Sequence, residues 1–79
     1  MKYVYILSSK RDPSKRYFGV TSDLKRRLNE HNHGNCTYTS QFGPWSLETY
    51  LAFSTESKAW QFEKYLKTRS GQAFSRKRL

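Results

Sequence analysis

Three segments of the chain alternate in a way that is typical of β-strands. Residues 2–7 and 16–20 carry apolar or aromatic side chains on both faces, as expected for strands that are covered on two sides. These two segments are predicted to pair as an antiparallel hairpin. Residues 45–53 alternate over a longer third strand, in which the odd-numbered positions from Trp45 to Phe53 are expected to share one face.

The remaining apolar positions recur at helical spacing. A first helix is predicted from residues 21–23, whose hydroxyl and acidic side chains are typical of a helix start, to residue 31 or 32. A second is expected from 54–56 to about residue 69, with Gly71 marking its C-terminal end. Residues 72–79 suggest a short last helix, and the polar stretch 33–44 is expected to be a loop. The predicted class is an α/β (α+β) fold, with a small, mainly antiparallel three-stranded sheet flanked by helices.

Length and composition limit what the chain can be. Seventy-nine residues form one small domain, 1–79, and an aromatic content of 16% suits a compact core. The chain has no long apolar run, so no membrane span is expected, and its start alternates too much for a signal peptide. The single cysteine, Cys36, rules out an internal disulfide and suits a reducing, cytoplasmic compartment.

The charge is strongly positive. Fifteen Lys and Arg residues face six Asp and Glu residues, which gives a formal net charge of +9. So strong a field on so small a domain favours polyanions, and nucleic acid is the first candidate partner. The basic residues cluster at 25–27 and again after Glu63, where six basic residues and no acidic ones follow. An inert, solubilising basic surface is the plainer alternative.

Glu63 is the most informative single residue. On a helical projection it lies within the arc that should pack on the sheet, which runs from Phe62 through Leu66 and Ala59 to Trp60. A buried carboxylate is costly unless it is paired or binds a metal. Taken alone, Glu63 is equally consistent with a rim position or with an ion pair to Lys67.

Two further pairs of residues have side chains that suit contact with a phosphate or with a water molecule. Arg27 and His31 are four residues apart on one helix, so their side chains share a patch where an arginine fork can meet a phosphate. Tyr5 and Tyr17 lie on neighbouring predicted strands, and a tyrosine hydroxyl beside positive charge can orient or deprotonate water. On these residues alone, a solvated helix face and ordinary core packing remain the more common explanations.

His31, His33 and Cys36 are close in sequence, but no clear fourth ligand accompanies them and structural zinc sites normally use four. A zinc site is therefore not predicted.

The order of these motifs resembles the GIY-YIG nuclease family, in particular its small stand-alone members related to the nuclease domain of the excinuclease C subunit. Tyr3-Val4-Tyr5 stands for Gly-Ile-Tyr, and Tyr17-Phe18-Gly19 for Tyr-Ile-Gly. The family's functional arginine falls on Arg27, its His or Tyr on His31, and its metal-binding glutamate on Glu63. The resemblance extends from Tyr3 to about Leu79.

This resemblance implies a DNA endonuclease that uses one divalent ion, Mg²⁺ or Mn²⁺, held by Glu63. Arg27 would hold the scissile phosphate, and Tyr5 would act as general base or water-orienting group beside Tyr17 and His31. A role in DNA repair or recombination is implied at the level of the family. Backbone contacts are expected from basic residues outside the site, namely Lys25, Arg26, Lys67, Arg76 and Lys77.

The chain departs from the family pattern in ways that keep other functions open. Val20 stands where excinuclease members have a lysine, and no asparagine follows the helix of Glu63, where Gln72 or Ser75 are the available substitutes. The main alternative is a non-catalytic nucleic-acid-binding module on the same fold. A protein-interaction domain of a repair complex is the third possibility, and a protein partner for target recognition fits any of them.

Overall fold

The computed structural model describes residues 1–34 and 37–79, and it confirms the α+β fold. Within these residues, three strands form one sheet, and four helices are distributed over its two faces. In chain order the elements are β1 (Lys2–Ser9), β2 (Arg16–Thr21), α1 (Leu24–Asn32), α2 (Thr37–Phe42), β3 (Trp45–Phe53), α3 (Glu56–Leu66) and α4 (Arg69–Arg78).

The sheet is antiparallel throughout, with the order β2-β1-β3. Strand β1 is central, which explains why its residues are apolar or aromatic on both faces. Val4 and Ile6 lie on one face, in a core that also contains Phe18 of β2 and Ala59 and Leu66 of α3. This first core is the one that α3 covers.

The second core lies on the opposite face of the sheet. Tyr5 and Leu7 of β1 pack there with Trp45, and Leu24 and Leu28 of α1 close over them. The expected division of β1 into two apolar faces is therefore confirmed. Two cores back to back on one strand let a short chain bury side chains on both faces of its sheet.

Strand β3 does not keep the face assignment predicted from its alternation. Its pairing with β1 shifts between Ile6 and Leu7, so that Leu7 pairs with Leu47 while Ile6 pairs with Thr49. One extra residue at this bulge reverses the side-chain alternation. Trp45 consequently lies in the second core and Phe53 packs on the first, so the prediction of one shared face was wrong.

The first helix begins later than predicted. Asp23 is its N-cap, and the carboxylate accepts the amide proton of Arg26 at 3.1 Å. The C-terminal end of α1 is tied to the start of β3 by a two-way contact, since the side-chain amide of Asn32 donates to the Trp45 carbonyl and accepts from the Trp45 amide. These two hydrogen bonds hold α1 over the second core.

The end of the chain differs from the prediction as well. Helix α3 ends at Leu66, and Gly71 lies inside α4 instead of ending the helix before it. A Cβ built at Gly71 would lie 2.6 Å from Leu66 Cα, so only glycine lets α4 approach the end of α3 this closely. The glycine therefore allows close helix packing. Its place in the sequence suggested the end of a helix instead.

The stretch expected to be a loop contains a helix. Residues 37–42 form α2, while Asn35 and Cys36 lie outside the described residues, so the rejected zinc arrangement involving Cys36 is not addressed by the structure. Within residues 1–34 and 37–79, no helix is long and apolar enough to cross a membrane.

Candidate active site

Tyr5 is the centre of a buried polar cluster on the second core. It lies on the central strand opposite Gly19 of β2, and its ring crosses the bare backbone of that glycine. A Cβ at Gly19 would lie only 2.5 Å from Tyr5 Cζ. The absence of a side chain at Gly19 therefore lets the phenol reach over the edge strand, where α1 supplies its partners.

Two side chains of α1 meet the Tyr5 hydroxyl. Arg27 Nε donates to Tyr5 Oη at 3.3 Å, and His31 Nε2 lies 2.9 Å from the same oxygen. The spacing of four residues brings both side chains to one side of the helix, as the sequence indicated. The Tyr5 hydroxyl therefore lies between the positively charged guanidinium of Arg27 and the Nε2 nitrogen of His31.

His31 is almost fully buried, with 1% of its surface exposed. Its Nδ1 lies 2.8 Å from Thr39 Oγ1 of α2. Burial, reinforced by the nearby charge of Arg27, lowers the pKa of His31 to about 4. The imidazole is therefore neutral at pH 7, so one ring nitrogen carries a proton and the other is an acceptor.

Arg27 is oriented by Glu30 as well as by Tyr5. Arg27 Nη1 donates to Glu30 Oε1 at 2.9 Å, and this bond raises the pKa of Arg27 while it lowers the pKa of Glu30. The two hydrogen bonds use Nε and Nη1. The planar guanidinium is thus held in one orientation with Nη2 still available to an incoming anion.

Tyr17 completes the cluster. Its ring stacks on Tyr5 with centroids 6.3 Å apart and lies 4.7 Å from the ring of His31. Leu7 pairs with Tyr17 while Tyr5 pairs with Gly19, so the two tyrosines lie diagonally on one face of the hairpin. The sequence left this register open, and the structure brings the pair together.

Glu63 occupies a different position from the other four predicted site residues. It lies on α3, which covers the opposite face of the sheet, and it is 8% exposed. Its carboxylate forms an ion pair with Lys67 Nζ at 2.6 Å, which was the simpler of the two expectations. Phe62, its neighbour on α3, packs on Phe53 of β3, and Glu63 projects about 100° away from Phe62 around the helix.

The donor set for a cation is small. No cluster of three or more His, Cys, Asp or Glu side chains that could hold a metal occurs within residues 1–34 and 37–79. A site for one divalent ion would therefore depend on Glu63, with water and substrate oxygens as the other ligands. Magnesium accepts such a site, because it usually keeps several waters and takes only one or two carboxylates.

The outlying basic residues are all exposed, but they lie in three separate places. Two belong to α1, one follows α3, and two lie in the last turn of α4; in order they are Lys25, Arg26, Lys67, Arg76 and Lys77. The suggested substitutes for the missing asparagine have structural contacts. Gln72 Nε2 donates to the Leu66 carbonyl, and Ser75 is buried and accepts from Arg16.

Two residues of the cluster were missed by reasoning from sequence. Thr39 is buried and touches His31, and its backbone carbonyl also accepts from the Trp45 indole at 2.7 Å. It lies in the segment expected to be a loop. Glu30 follows Arg27 by three residues, a spacing that favours an ion pair on a helix and was the one available signal.

A family model described as the GIY-YIG catalytic domain matches residues 1–78. The chain is 34% identical over 65 residues to a structure-specific endonuclease subunit SLX1 homolog of Giardia intestinalis. That match covers 77% of this chain but only 18% of the Giardia protein.

The matches to small proteins cover a larger share of both aligned chains. A UPF0213 protein of Clostridium perfringens is 37% identical over 68 residues, which cover 85% of this chain and 71% of that protein. The solution NMR structure of a UPF0213 protein from Bacillus halodurans superposes with a TM-score of 0.53 at 34% identity. It covers 92% of this chain and 80% of the other chain.

Proposed function

The chain belongs to the GIY-YIG catalytic-domain family, and we propose that it is an endonuclease that hydrolyses phosphodiester bonds of DNA with the help of one divalent cation. GIY-YIG domains form a nuclease family whose members generally use divalent metal ions. The SLX1 homolog of Giardia intestinalis is, by its name, a structure-specific endonuclease subunit. DNA as the substrate, cleavage by this chain and the choice of Mg²⁺ or Mn²⁺ belong to the proposal.

The observation that carries the proposal is the buried Tyr5 hydroxyl between Arg27 and a neutral His31. Phosphodiester hydrolysis needs a group that removes a proton from the attacking water. In the tautomer in which His31 Nδ1 donates to Thr39, Nε2 accepts from the Tyr5 hydroxyl. Tyr5 then takes a proton from the water as its own proton passes to His31, and Arg27 stabilises the negative charge that develops on the Tyr5 oxygen during this transfer.

Arg27 has a second proposed task. Its Nη2 would donate to the scissile phosphate and stabilise the charge that builds up on it during attack. Glu30 and Tyr5 hold the guanidinium in place before substrate arrives, so little reorganisation is needed at the moment of reaction. Tyr17 shields the other side of the Tyr5 ring and keeps the hydroxyl pointed at the site.

Glu63 is the proposed metal ligand. A nearly buried carboxylate whose described partner is one exposed lysine can exchange that lysine for a divalent ion. A bound cation would act as a Lewis acid and help the leaving oxygen depart. The helix of Glu63 packs on Phe18 of β2 from one side of the sheet, and Arg27 meets Tyr5 above Gly19 of β2 from the other, which supports a site that spans this edge.

The exposed basic residues would hold the DNA backbone. Lys25 and Arg26 flank Arg27 on α1, and Lys67 lies one turn beyond Glu63. Arg76 and Lys77 lie further away, on α4. These contacts reach phosphates and carry no sequence information, so they predict affinity that falls with salt.

The decisive experiment is cleavage of supercoiled and branched DNA with Mg²⁺ or Mn²⁺ by the wild type and by Glu63→Gln. Glu56→Gln is the matched control, because Glu56 is an exposed glutamate on the same helix. Cleavage that is lost in Glu63→Gln and with chelator, and kept in Glu56→Gln, supports the proposal. Equal cleavage by the wild type and Glu63→Gln would refute it.

A second pair of variants tests the phosphate contact. Arg27→Ala should abolish cleavage, whereas Arg26→Ala, which removes the same charge from the adjacent exposed position, should mainly weaken binding.

One observation favours a second candidate function. Lys67 already neutralises Glu63 at 2.6 Å, so the fold can satisfy this carboxylate with no metal. A non-catalytic nucleic-acid-binding module would use the same basic surface and would bind DNA equally well before and after Glu63→Gln. The SLX1 homolog is named as a subunit, which supports a protein partner for this chain; the partner's task in target recognition and a role in DNA repair belong to the proposal.

A further inference from the structure

Trp60 lies in the arc of α3 that the sequence predicts to pack on the sheet, but it is not buried there. Half of its surface is exposed on α3. Within the described residues, no other aromatic ring contacts it, in contrast to Tyr65 and Phe74, which contact each other and the ring of Phe62. Tyr65 and Phe74 hold α3 against α4, whereas Trp60 presents a large flat ring to its surroundings.

The position of Trp60 on the helix connects it with the proposed site. Trp60 precedes Glu63 by three residues, so their Cβ atoms are about 5–6 Å apart on one flank of α3. Lys64 follows Trp60 by four residues, and Lys67 lies one further turn along the same flank. The flank therefore combines one exposed indole, one carboxylate and two exposed ammonium groups.

Aromatic side chains set among basic ones suit a nucleic-acid strand with unpaired bases. The ammonium groups attract the backbone, and the indole offers a stacking surface that any base can use. A fully paired duplex keeps its base faces covered and gains little from such a ring. The net charge of +9 makes a polyanion the fitting occupant of this flank, in preference to an apolar or basic protein surface.

We propose that Trp60 stacks on an unpaired nucleobase of a strand whose phosphates Lys64 and Lys67 attract, and that the chain thereby prefers DNA with an unpaired segment over continuous duplex. This rests on the proposed nucleic-acid substrate, but it does not require that the chain cleave DNA. Trp60 is a specificity-determining contact in this scheme, and proton transfer and phosphate activation remain with the Tyr5 cluster.

The test measures binding in EDTA, so that no hydrolysis occurs. The probes are a fully paired DNA duplex and the same duplex with a single-stranded arm, at fixed salt. The proteins are the wild type, Trp60→Ala and Trp60→Phe, with Tyr50→Ala as the control, since Tyr50 is as exposed as Trp60 but lies on β3, at the opposite edge of the sheet from β2.

Loss of the ring should weaken binding of the armed probe by roughly 5- to 100-fold, the range of one base–aromatic stack. Affinity for the duplex should change less than about twofold, Trp60→Phe should keep most of the preference, and Tyr50→Ala all of it. Equal binding of both probes by the wild type, or an unchanged preference in Trp60→Ala, would overturn the proposal. So would a Trp60→Ala change in oligomeric state, because the ring would then serve a second copy of the chain.

Tryptophan fluorescence gives an independent readout. The chain has two tryptophans, and Trp45 is only 2% exposed with its indole bonded to the Thr39 carbonyl. A change in emission upon binding the armed probe should therefore come from Trp60 and be absent in Trp60→Phe. If this signal appears while the wild type fails to cleave DNA, the stacking proposal stands and the proposed hydrolysis fails.

Discussion

Gly19→Ala is expected to damage the candidate site directly. A Cβ at this position would lie 2.5 Å from Tyr5 Cζ and 2.8 Å from Cε1, where ordinary contacts begin near 3.4 Å. The Tyr5 ring must therefore move by about 1 Å. Backbone conformation is not the issue, because Gly34 is the one glycine with a positive φ.

The expected loss of stability in Gly19→Ala follows from the hydrogen bonds that hold the Tyr5 ring in place. A shift of this size lengthens the bonds of Tyr5 Oη to His31 and Arg27, now 2.9 and 3.3 Å, beyond hydrogen-bonding distance. Each buried hydrogen bond is worth about 1 kcal/mol, and the strained packing adds a comparable amount, so we expect a loss of about 2–3 kcal/mol. In a domain of this size that corresponds to a fall in Tm of roughly 10–20 °C.

Two assays measure these effects separately. Thermal unfolding reports the loss of stability, and DNA cleavage at a temperature where the variant is folded reports the misplaced hydroxyl. Misplacement by 1 Å can cost about a hundredfold in rate, so activity should fall much more than the folded fraction does. Gly43→Ala is the matched control, because its Cβ would meet no atom closer than 3.6 Å.

A double-mutant cycle can refute the reasoning. Tyr5→Leu removes the ring that collides with the new Cβ, so Gly19→Ala should cost little further stability in that background. If Gly19→Ala costs the same with and without the Tyr5 ring, the glycine is required for another reason and the proposed close approach is not its cause.

Three further predictions concern titration, orientation and packing. The pKa of His31 is lowered from 6.5 in the unfolded chain to about 4 in the folded protein. Between these pH values the unfolded chain binds a proton that the folded protein does not bind. The free energy of unfolding should therefore be highest above pH 6.5 and fall by up to about 3 kcal/mol as the pH falls toward 4. Urea unfolding across this range should show a steeper pH slope for the wild type than for His31→Gln. Glu30→Gln should leave Tm nearly unchanged but lower cleavage severalfold, because a neutral amide holds the Arg27 guanidinium less firmly. Gly71→Ala should lower Tm strongly, since its Cβ would collide with the backbone around Tyr65.

Each of these predictions has a contrary result. Equal pH slopes would mean that His31 is protonated in the folded state as readily as in the unfolded chain. Unchanged cleavage in Glu30→Gln would mean that Tyr5 alone orients Arg27. A Gly71→Ala protein that unfolds at the temperature of Gly43→Ala would show that α4 can move away from α3 at little cost.

Much of the architecture follows from local patterns in the sequence. The three strands and the helices α1 and α3 were predictable because alternation and helical spacing report local side-chain direction. The two-sided strand β1 was predictable for the same reason. The family was evident from motif order, since Tyr5, Tyr17, Arg27 and Glu63 occur at characteristic separations along the chain.

Other features depend on contacts between segments that are distant in sequence. The bulge opposite Ile6 and Leu7 reverses which side chains of β3 point to which face of the sheet, and no residue type in that strand predicts the bulge. Gly71 lies inside α4 because α4 packs closely on the end of α3, and Thr39 lies beside His31 because α2 packs near α1. The sequences of these helices do not by themselves predict either contact. Local pattern carries no information on such approaches, because they depend on which surfaces meet.

The candidate site shows the same division most clearly. The sequence alone determined that an arginine and a histidine share one helix face, and that Glu63 falls on a buried arc of another helix. Only the tertiary structure decided that the Tyr5 hydroxyl lies between Arg27 and His31, and that the helix of Glu63 covers the other face of the sheet. The reason is physical: residue spacing defines directions along one element, while distances between elements arise from packing the whole chain.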